Sequence, residues 1–233
     1  MTRTAIVTGA SRGLGLALAH ALAERGWRLV VDARDEADLE RARAQLAALT
    51  EVVAIAGDVA DSWHRAALVE AAGERVDLLV NNASTLGVSP LPPLAAYPAL
   101  AFEQVLRVNA VAPLVLMQIV LPRMPAGGRI LNITSDAAAE AYEGWGGYGA
   151  SKAALEQLSA VLAVERPDLR VYAVDPGDMN TRMHQDAFPG EDISDRPPPQ
   201  DSVPGLLALV EGDVPSGRHR AADLAPAPAP AAG

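Results

Sequence analysis

The sequence predicts an α/β fold: one parallel, doubly wound sheet of about seven strands with helices on both faces. Short apolar runs alternate with helical segments along most of the 233 residues. Glycine or polar residues follow most of these runs, as they do where buried parallel strands end. Half of the residues are hydrophobic, which is enough for one substantial core. We therefore expect a single domain over residues 1–223.

The first strand is predicted at Ala5-Ile6-Val7 and is followed by a glycine-rich turn, Thr8 to Gly15. An Ala/Leu-rich helix then runs to Arg25 and is stopped by Gly26. Glycines let a backbone approach a pyrophosphate closely, and a helix N-terminus offers unpaired N–H groups. A tight loop could show the same Gly-x-x-x-Gly-x-Gly spacing, but its place after the first strand favours a dinucleotide phosphate site.

The rest of the chain continues the alternation. The other strands are predicted at 29–31, 52–56, 78–80, 129–133, 170–174 and 217–221, and the helices at about 36–49, 62–72, 99–121, 148–166 and 203–210. Right-handed crossovers bring the carboxyl ends of such strands to one edge of the sheet, where ligands bind.

Tyr148 and Lys152 stand four residues apart at the start of a predicted helix, so they share one face. A fixed ammonium and a helix N-terminus both favour the tyrosinate. Lowering the Tyr148 pKa to about 7 requires about 4 kcal/mol. The pair alone could be a solvated helix face. With Ser135 after the fifth strand, it predicts a proton donor and acceptor matched to neutral pH.

Residues 178–204 are Pro-rich, acidic and too long for a routine connection. We interpret this stretch as a lid over a substrate; a disordered excursion is the alternative. The tail 224–233 is a Pro/Ala low-complexity segment that is predicted to be disordered.

The amino-acid composition limits the kinds of molecule that the protein is expected to bind. The net charge is −10, which argues against nucleic acid and anionic membranes. The chain has no cysteine and its four histidines are scattered, so we expect neither disulfides nor a metal site. No signal peptide is recognisable, and no run approaches a membrane span in length. A cytoplasmic location follows as an expectation.

The motifs together resemble those of the short-chain dehydrogenase/reductase family in its single-domain, Rossmann-like form, from Thr4 to about Ala222. They occur in the family's order: Thr8-Gly9-x-x-x-Gly13-x-Gly15, Asn81-Asn82-Ala83, Asn109, Ser135, Tyr148-x-x-x-Lys152 and Pro176-Gly177 with Thr181.

The resemblance implies a role for each matching residue. Tyr148 would move a proton as hydride is transferred, Lys152 would lower the Tyr148 pKa and bind the nicotinamide ribose, and Ser135 would orient the carbonyl. Asn109 would hold a water in a proton path. The implied cofactor contacts are Gly9, Ser11, Arg12, Gly13, Leu14 and Gly15 at the phosphates, Asp58 and Val59 at the adenine, Asn81, Asn82 and Ala83 at the adenosine wall, and Pro176, Gly177 and Thr181 at the carboxamide or pyrophosphate.

Some of these residues have plainer alternatives. Asn82 could be a loop-stabilising amide, and Pro176-Gly177 could be an ordinary turn. Ser84 stands where the family usually has glycine, and we expect a slightly altered turn there.

The residues at the end of the second strand indicate whether NAD(H) or NADP(H) is the preferred cofactor. Asp32 near its tip would bind a ribose diol and favour NAD. Counted from Gly26 as the family resemblance implies, the discriminating position is instead Ala33, and Arg34 with Arg12 resembles a phosphate clamp. NADP(H) is therefore the preferred cofactor, with NAD(H) as the alternative.

We expect reduction of a carbonyl, or oxidation of an alcohol, on a small organic molecule. Trp145, Glu143, Met179 and Met183 are candidates for the substrate wall. A catalytically silent NAD(P)-binding regulator or scaffold is the rival. Apolar surface on the helices at 99–121 and 148–164 predicts a homodimer or homotetramer.

Overall fold

Seven parallel strands form the centre of the computed structural model, which describes residues 2–224. Their order across the sheet is β3-β2-β1-β4-β5-β6-β7, so the chain starts in the middle and winds outward in both directions. The predicted doubly wound sheet is confirmed. The strands are β1 Thr4–Val7, β2 Arg28–Ala33, β3 Val52–Ala56, β4 Leu78–Asn81, β5 Arg129–Ile133, β6 Arg170–Asp175 and β7 Gly217–Arg220.

Helices cover both faces of this sheet. They are α1 Gly13–Glu24, α2 Glu36–Ala47, α3 Ser62–Ala72, α4 Ala99–Leu106, α5 Ala112–Val120, α6 Gly146–Glu165, α7 Arg182–Ala187, α8 Val203–Glu211 and α9 Ala221–Leu224. Side chains alternate between the two faces of each strand. In β1, Ala5 and Val7 join the core under α1, α2 and α8, while Ile6 joins the core under α3 and α5.

The run predicted as one helix around Asn109 is helical throughout but not uniform. A π-helical turn, Arg107–Val111, separates α4 from α5. Such a turn holds one extra residue and often marks a functional position. Here it carries the fully buried Asn109.

The expectation that no run approaches a membrane span was wrong by length and composition. The continuous helical run Ala99–Arg123 has 25 residues, and the mean hydropathy of its most apolar window is 1.8. Half of that window is buried inside the molecule. Because core helices of globular domains meet the same criteria, the finding is weak evidence for a span.

The stretch 178–204 is more regular than predicted. It contains the short helix α7 and a 3₁₀ turn, Pro199–Ser202, before α8 begins. The Thr181 hydroxyl accepts a hydrogen bond from the His184 N–H and so caps α7, which explains why a helix forms in a Pro-rich region. Leu224, predicted in the tail, ends α9, and residues 225–233 lie outside the described part of the chain.

Candidate active site

A cavity of about 1110 Å³ opens at the carboxyl edge of the sheet. The turn after β1, the ends of the neighbouring strands, the start of α6 and the segment around α7 all contribute to its wall. The predicted site residues that lie on it are Gly9, Ser11, Arg12, Gly13, Leu14, Arg34, Asp58, Val59, Asn82, Ala83, Ser135, Tyr148, Lys152, Pro176, Gly177 and Thr181.

The start of α1 is open towards this cavity. Its N-cap residue, Arg12, makes no side-chain capping hydrogen bond, and the first turn carries no acidic residue. The N-terminal N–H groups and the positive end of the helix dipole are therefore free to meet an anion. Gly9 and Gly13 have φ angles of 68° and 58°, which only glycine adopts without strain. This geometry fits a dinucleotide phosphate.

Gly15 serves packing rather than the cavity wall. A Cβ atom on Gly15 would lie 2.4 Å from the Gly9 carbonyl oxygen and 2.5 Å from Asn82 Nδ2. The absence of a side chain lets α1 approach the turn after β1, so Gly15 has a packing role; its contact with the phosphates stays a prediction.

A side-chain network around Thr8 joins the turn to the end of β4. The Thr8 hydroxyl accepts hydrogen bonds from the N–H groups of Asn82 and Ala83, each at 3.0 Å. Asn82 Nδ2 donates to the carbonyl oxygens of Thr8 and Gly9 at 2.8 and 3.1 Å. Asn82 therefore stabilises the loop as well as lying on the cavity. The sequence analysis included Thr8 in the glycine-rich motif but assigned its hydroxyl no role.

Asp32 is buried in the wall of the cavity. Its carboxylate accepts a hydrogen bond from the Gly9 N–H at 2.7 Å and lies 2.9 Å from His64 Nε2. Burial raises the Asp32 pKa, and the hydrogen bonds from His64 and Gly9 oppose that rise. Both oxygens are thus engaged, which leaves Ala33 and Arg34 at the rim. The His64 contact, across 32 positions, carried no sequence signal.

Ser135, Tyr148 and Lys152 come together at the other end of the cavity. Lys152 is 2% exposed. Its Nζ donates to the Ile133 carbonyl oxygen at 2.8 Å and lies 5.4 Å from the Tyr148 ring centroid. The Ser135 hydroxyl donates to Asp136 Oδ1 at 2.9 Å. Asp136, which the sequence did not single out, therefore directs the Ser135 proton.

The pKa values differ from the sequence prediction. Burial raises the pKa of Tyr148 above its ordinary value, with Ser84 opposing this most strongly and Asp136 and Asp175 adding to the rise. Burial also lowers the pKa of Lys152 to about 7. A Lys152 that is largely uncharged at slightly alkaline pH cannot hold the Tyr148 pKa down, so desolvation outweighs the expected effect of a fixed ammonium.

Two predicted asparagines lie behind the cavity instead of on it. Asn81 is buried and its Nδ2 donates to Asn132 Oδ1 at 2.7 Å, so its side chain lies behind the cavity wall; its contact with the adenosine half stays a prediction. Asn109 Nδ2 donates to the Thr85 carbonyl oxygen and to Ser151 Oγ, each at 2.9 Å. Asn109 thus ties the loop after β4 to α6.

The wall of the cavity beside Tyr148 is largely aromatic. Trp145 packs edge-on against Tyr148, with ring centroids 5.6 Å apart. The Trp145 ring is tilted against that of Phe188, with centroids 6.0 Å apart. Met179 and Met183 also lie on the cavity, as predicted, but Glu143 is exposed and lies off it. Phe188 was not identified from sequence, because nothing in a Pro/Gly-rich segment indicates where its aromatic side chain points.

A family model described as short chain dehydrogenase matches residues 3–192. The chain is 36% identical over 193 residues to a rhamnolipid-biosynthesis 3-oxoacyl-[acyl-carrier-protein] reductase of Pseudomonas aeruginosa, covering 78% of this chain and 74% of that protein. It is 38% identical over 194 residues to 2-(R)-hydroxypropyl-CoM dehydrogenase of Xanthobacter autotrophicus, covering 79% and 78%.

A solved structure supports the same relationship. A short chain dehydrogenase of Shigella flexneri complexed with NADP superposes with a TM-score of 0.85 and 27% sequence identity. The match covers 94% of this chain and 97% of that chain.

Proposed function

Because the chain belongs to the short-chain dehydrogenase family, whose members use NAD(P) to interconvert alcohols and carbonyls, we propose that it is an NADP(H)-dependent oxidoreductase of a small organic molecule. One observation carries the proposal. Ser135, Tyr148 and Lys152 lie on the same cavity as the uncapped N-terminus of α1. Proton-transfer groups and a phosphate site therefore share one space, as hydride transfer requires.

The nicotinamide cofactor, when bound, gives or takes the hydride. The chain supplies the proton and the positioning. Since burial raises the pKa of Tyr148, the phenol holds its proton at neutral pH and can give it to a carbonyl oxygen. This protonation state favours reduction. Alcohol oxidation needs the tyrosinate, which burial disfavours.

NADP(H) is favoured over NAD(H) by the end of β2. A carboxylate there would bind the ribose diol, but Asp32 is already bonded to Gly9 and His64. Arg34 is exposed beside the cavity, and among residues 2–224 no carboxylate lies within ion-pair distance of it. Arg12 forms an ion pair with Asp38, with 3.5 Å between Arg12 Nη1 and Asp38 Oδ2. The relative from Shigella, which is complexed with NADP, supports the same choice.

The aromatic end of the cavity suits a substrate with an apolar part. Trp145 and Phe188 offer two rings beside Tyr148, and Met183 packs with them. Residues 178–204 would close over this substrate as a lid. We also propose a single domain for residues 1–223, a cytoplasmic location and assembly into a homodimer or homotetramer.

The function is tested by a panel of aldehydes, ketones and sugars with NADPH and, separately, NADH. We expect consumption of NADPH with at least one apolar carbonyl compound, and slower consumption of NADH. Tight cofactor binding with no turnover of any compound would favour the silent regulator over the enzyme.

Cofactor choice has a test of its own. We expect Arg34→Ala to raise the Kd for NADPH about tenfold, because a charge-assisted hydrogen bond is lost. The Kd for NADH should change less than twofold. Arg43→Ala, whose side chain pairs with Glu40 on α2 and does not line the cavity, is the matched control and should leave both constants unchanged. Equal losses for NADPH and NADH would contradict the proposed phosphate contact.

A further inference from the structure

The carboxylate of Asp32, near the end of β2, has one partner on each oxygen. Its Oδ1 accepts the Gly9 N–H at 2.7 Å, and its Oδ2 lies 2.9 Å from His64 Nε2 on α3. Asp32 is 1% exposed and His64 is 8% exposed. An ionised carboxylate can only accept hydrogen bonds, so the proton between the two side chains belongs to His64 Nε2.

The backbone after β3 fixes the position of the His64 ring. A Cβ atom on Gly57 would lie 2.3 Å from His64 Nδ1, far inside van der Waals contact. The imidazole therefore packs directly against bare backbone on its Nδ1 side and presents Nε2 to Asp32. Gly57 and Asp32 both line the cavity, whereas His64 lies behind them.

The hydrogen bond from His64 controls what the Asp32 carboxylate can do. A buried carboxylate oxygen without a donor is costly. Without His64, Asp32 Oδ2 would be relieved by turning to the cavity, where water and cofactor reach it. There it would accept from a ribose diol and repel a 2′-phosphate held by Arg34, two positions further along the chain.

We propose that His64 is a positioning residue that sets the cofactor preference, because its donation to Asp32 keeps this carboxylate away from the adenosine ribose. The preference for NADP(H) then depends on a residue behind the cavity as well as on Arg34 at its rim. This inference rests on the proposed use of NADP(H) and extends it.

Two substitutions of His64 test the proposal, with the Kd for NADPH and for NADH measured by titration calorimetry. Leucine fills the space without a donor, and glutamine keeps an N–H donor. We expect His64→Leu to raise the Kd for NADPH about tenfold without weakening NADH, and His64→Gln to keep the wild-type ratio of the two constants. Equal losses for both cofactors in His64→Leu would show a merely structural role and overturn the proposal.

A double variant tests whether His64 acts through Asp32. Once Asp32→Asn has removed the charge, adding His64→Leu should no longer change the ratio of the two constants. A shift that persists in this background would overturn the proposal. Leu68→Val is the matched control, because Leu68 is a fully buried core residue on the same helix; it should leave the ratio unchanged.

The wild-type protein offers a test that does not depend on folding of the variants. The chain has four histidines, and in protein labelled with ¹⁵N-histidine the His64 signals are those missing from His64→Gln. We expect a protonated Nε2 whose N–H exchanges slowly with solvent. An unprotonated Nε2 would overturn the proposal, since Asp32 would then lack this donor.

The binding constants separate this inference from the proposed cofactor. A wild-type protein that binds NADH more tightly than NADPH would overturn both. A wild-type protein that prefers NADPH, with the same preference in His64→Leu, would overturn only the role of His64.

Discussion

At the residue scale, the chemistry of the site is decided by burial. The identities of Ser135, Tyr148 and Lys152 could be found from sequence, because their spacing and order form a recognisable pattern. Their protonation states could not be predicted, since the sequence does not say how much water reaches these side chains. Lys152 is buried and donates only to the Ile133 carbonyl oxygen. Without a carboxylate partner, its charged form is the costlier one.

Lys152 can be observed directly, because it is the only lysine in the chain. A protein labelled with ¹³C-lysine gives one side-chain signal, and its chemical shift follows protonation. We expect a midpoint near the value of about 7 that burial produces. A midpoint close to that of a solvated lysine, about 10.4, would contradict the account of this site.

The same pKa shift affects stability in a defined direction. Between about 7 in the folded protein and about 10.4 in the unfolded chain, the unfolded state binds more protons. The free energy of unfolding therefore rises with pH by up to about 1.4 kcal/mol per pH unit from this group. Lys152→Met removes that contribution, so its unfolding free energy should rise less steeply over the same window.

At the element scale, strands and long helices could be predicted because their apolar periodicity is strong. Contacts between elements that are distant in the sequence could not be predicted. The Asp32–His64 hydrogen bond joins β2 to α3, and the π-helical turn at Asn109 depends on partners from two other segments, Thr85 and Ser151. The short helix α7 was missed because prolines around it suggested irregular structure, whereas the Thr181 cap stabilises it locally.

The approach of α1 to the turn after β1 gives a prediction for Gly15. Alanine normally stabilises a helix relative to glycine by about 0.5–1 kcal/mol. At position 15, however, the new Cβ would meet the Gly9 carbonyl oxygen at 2.4 Å. We expect Gly15→Ala to lower the free energy of unfolding in urea by about 1–3 kcal/mol and to weaken NADPH binding.

Gly146→Ala is the matched control. There the nearest atom to a new Cβ is the end of the Leu94 side chain, at 2.7 Å, and Leu94 is largely exposed and can move. Its unfolding free energy should stay within about 0.5 kcal/mol of wild type. If Gly15→Ala is as stable as this control, α1 does not require the close approach.

At the scale of the whole molecule, four exposed apolar side chains lie on the helices predicted to form an interface. Leu100 on α4 is 80% exposed and Val164 on α6 is 81% exposed. Val111 and Val161 are partly exposed beside them in the same helical regions. Exposed apolar side chains on the helices predicted to associate are what an interface would cover, which supports the proposed homo-oligomer.

Light scattering tests the assembly. We expect the wild-type chain to have the mass of a dimer or tetramer. The double variant Leu100→Glu, Val164→Glu should have a lower mass, because buried unpaired charges disfavour an interface. Trp63→Glu changes an equally exposed apolar residue on α3 and should leave the mass unchanged. A monomeric wild-type protein would contradict the prediction.

The whole account depends on Tyr148 acting as the proton donor beside a bound nicotinamide cofactor. The most direct measurement compares NADPH-dependent carbonyl reduction by the wild type and by Tyr148→Phe, with the Kd for NADPH measured on both. The account predicts a loss of at least about 100-fold in kcat, with a Kd within about twofold of wild type. Turnover retained by Tyr148→Phe would contradict it.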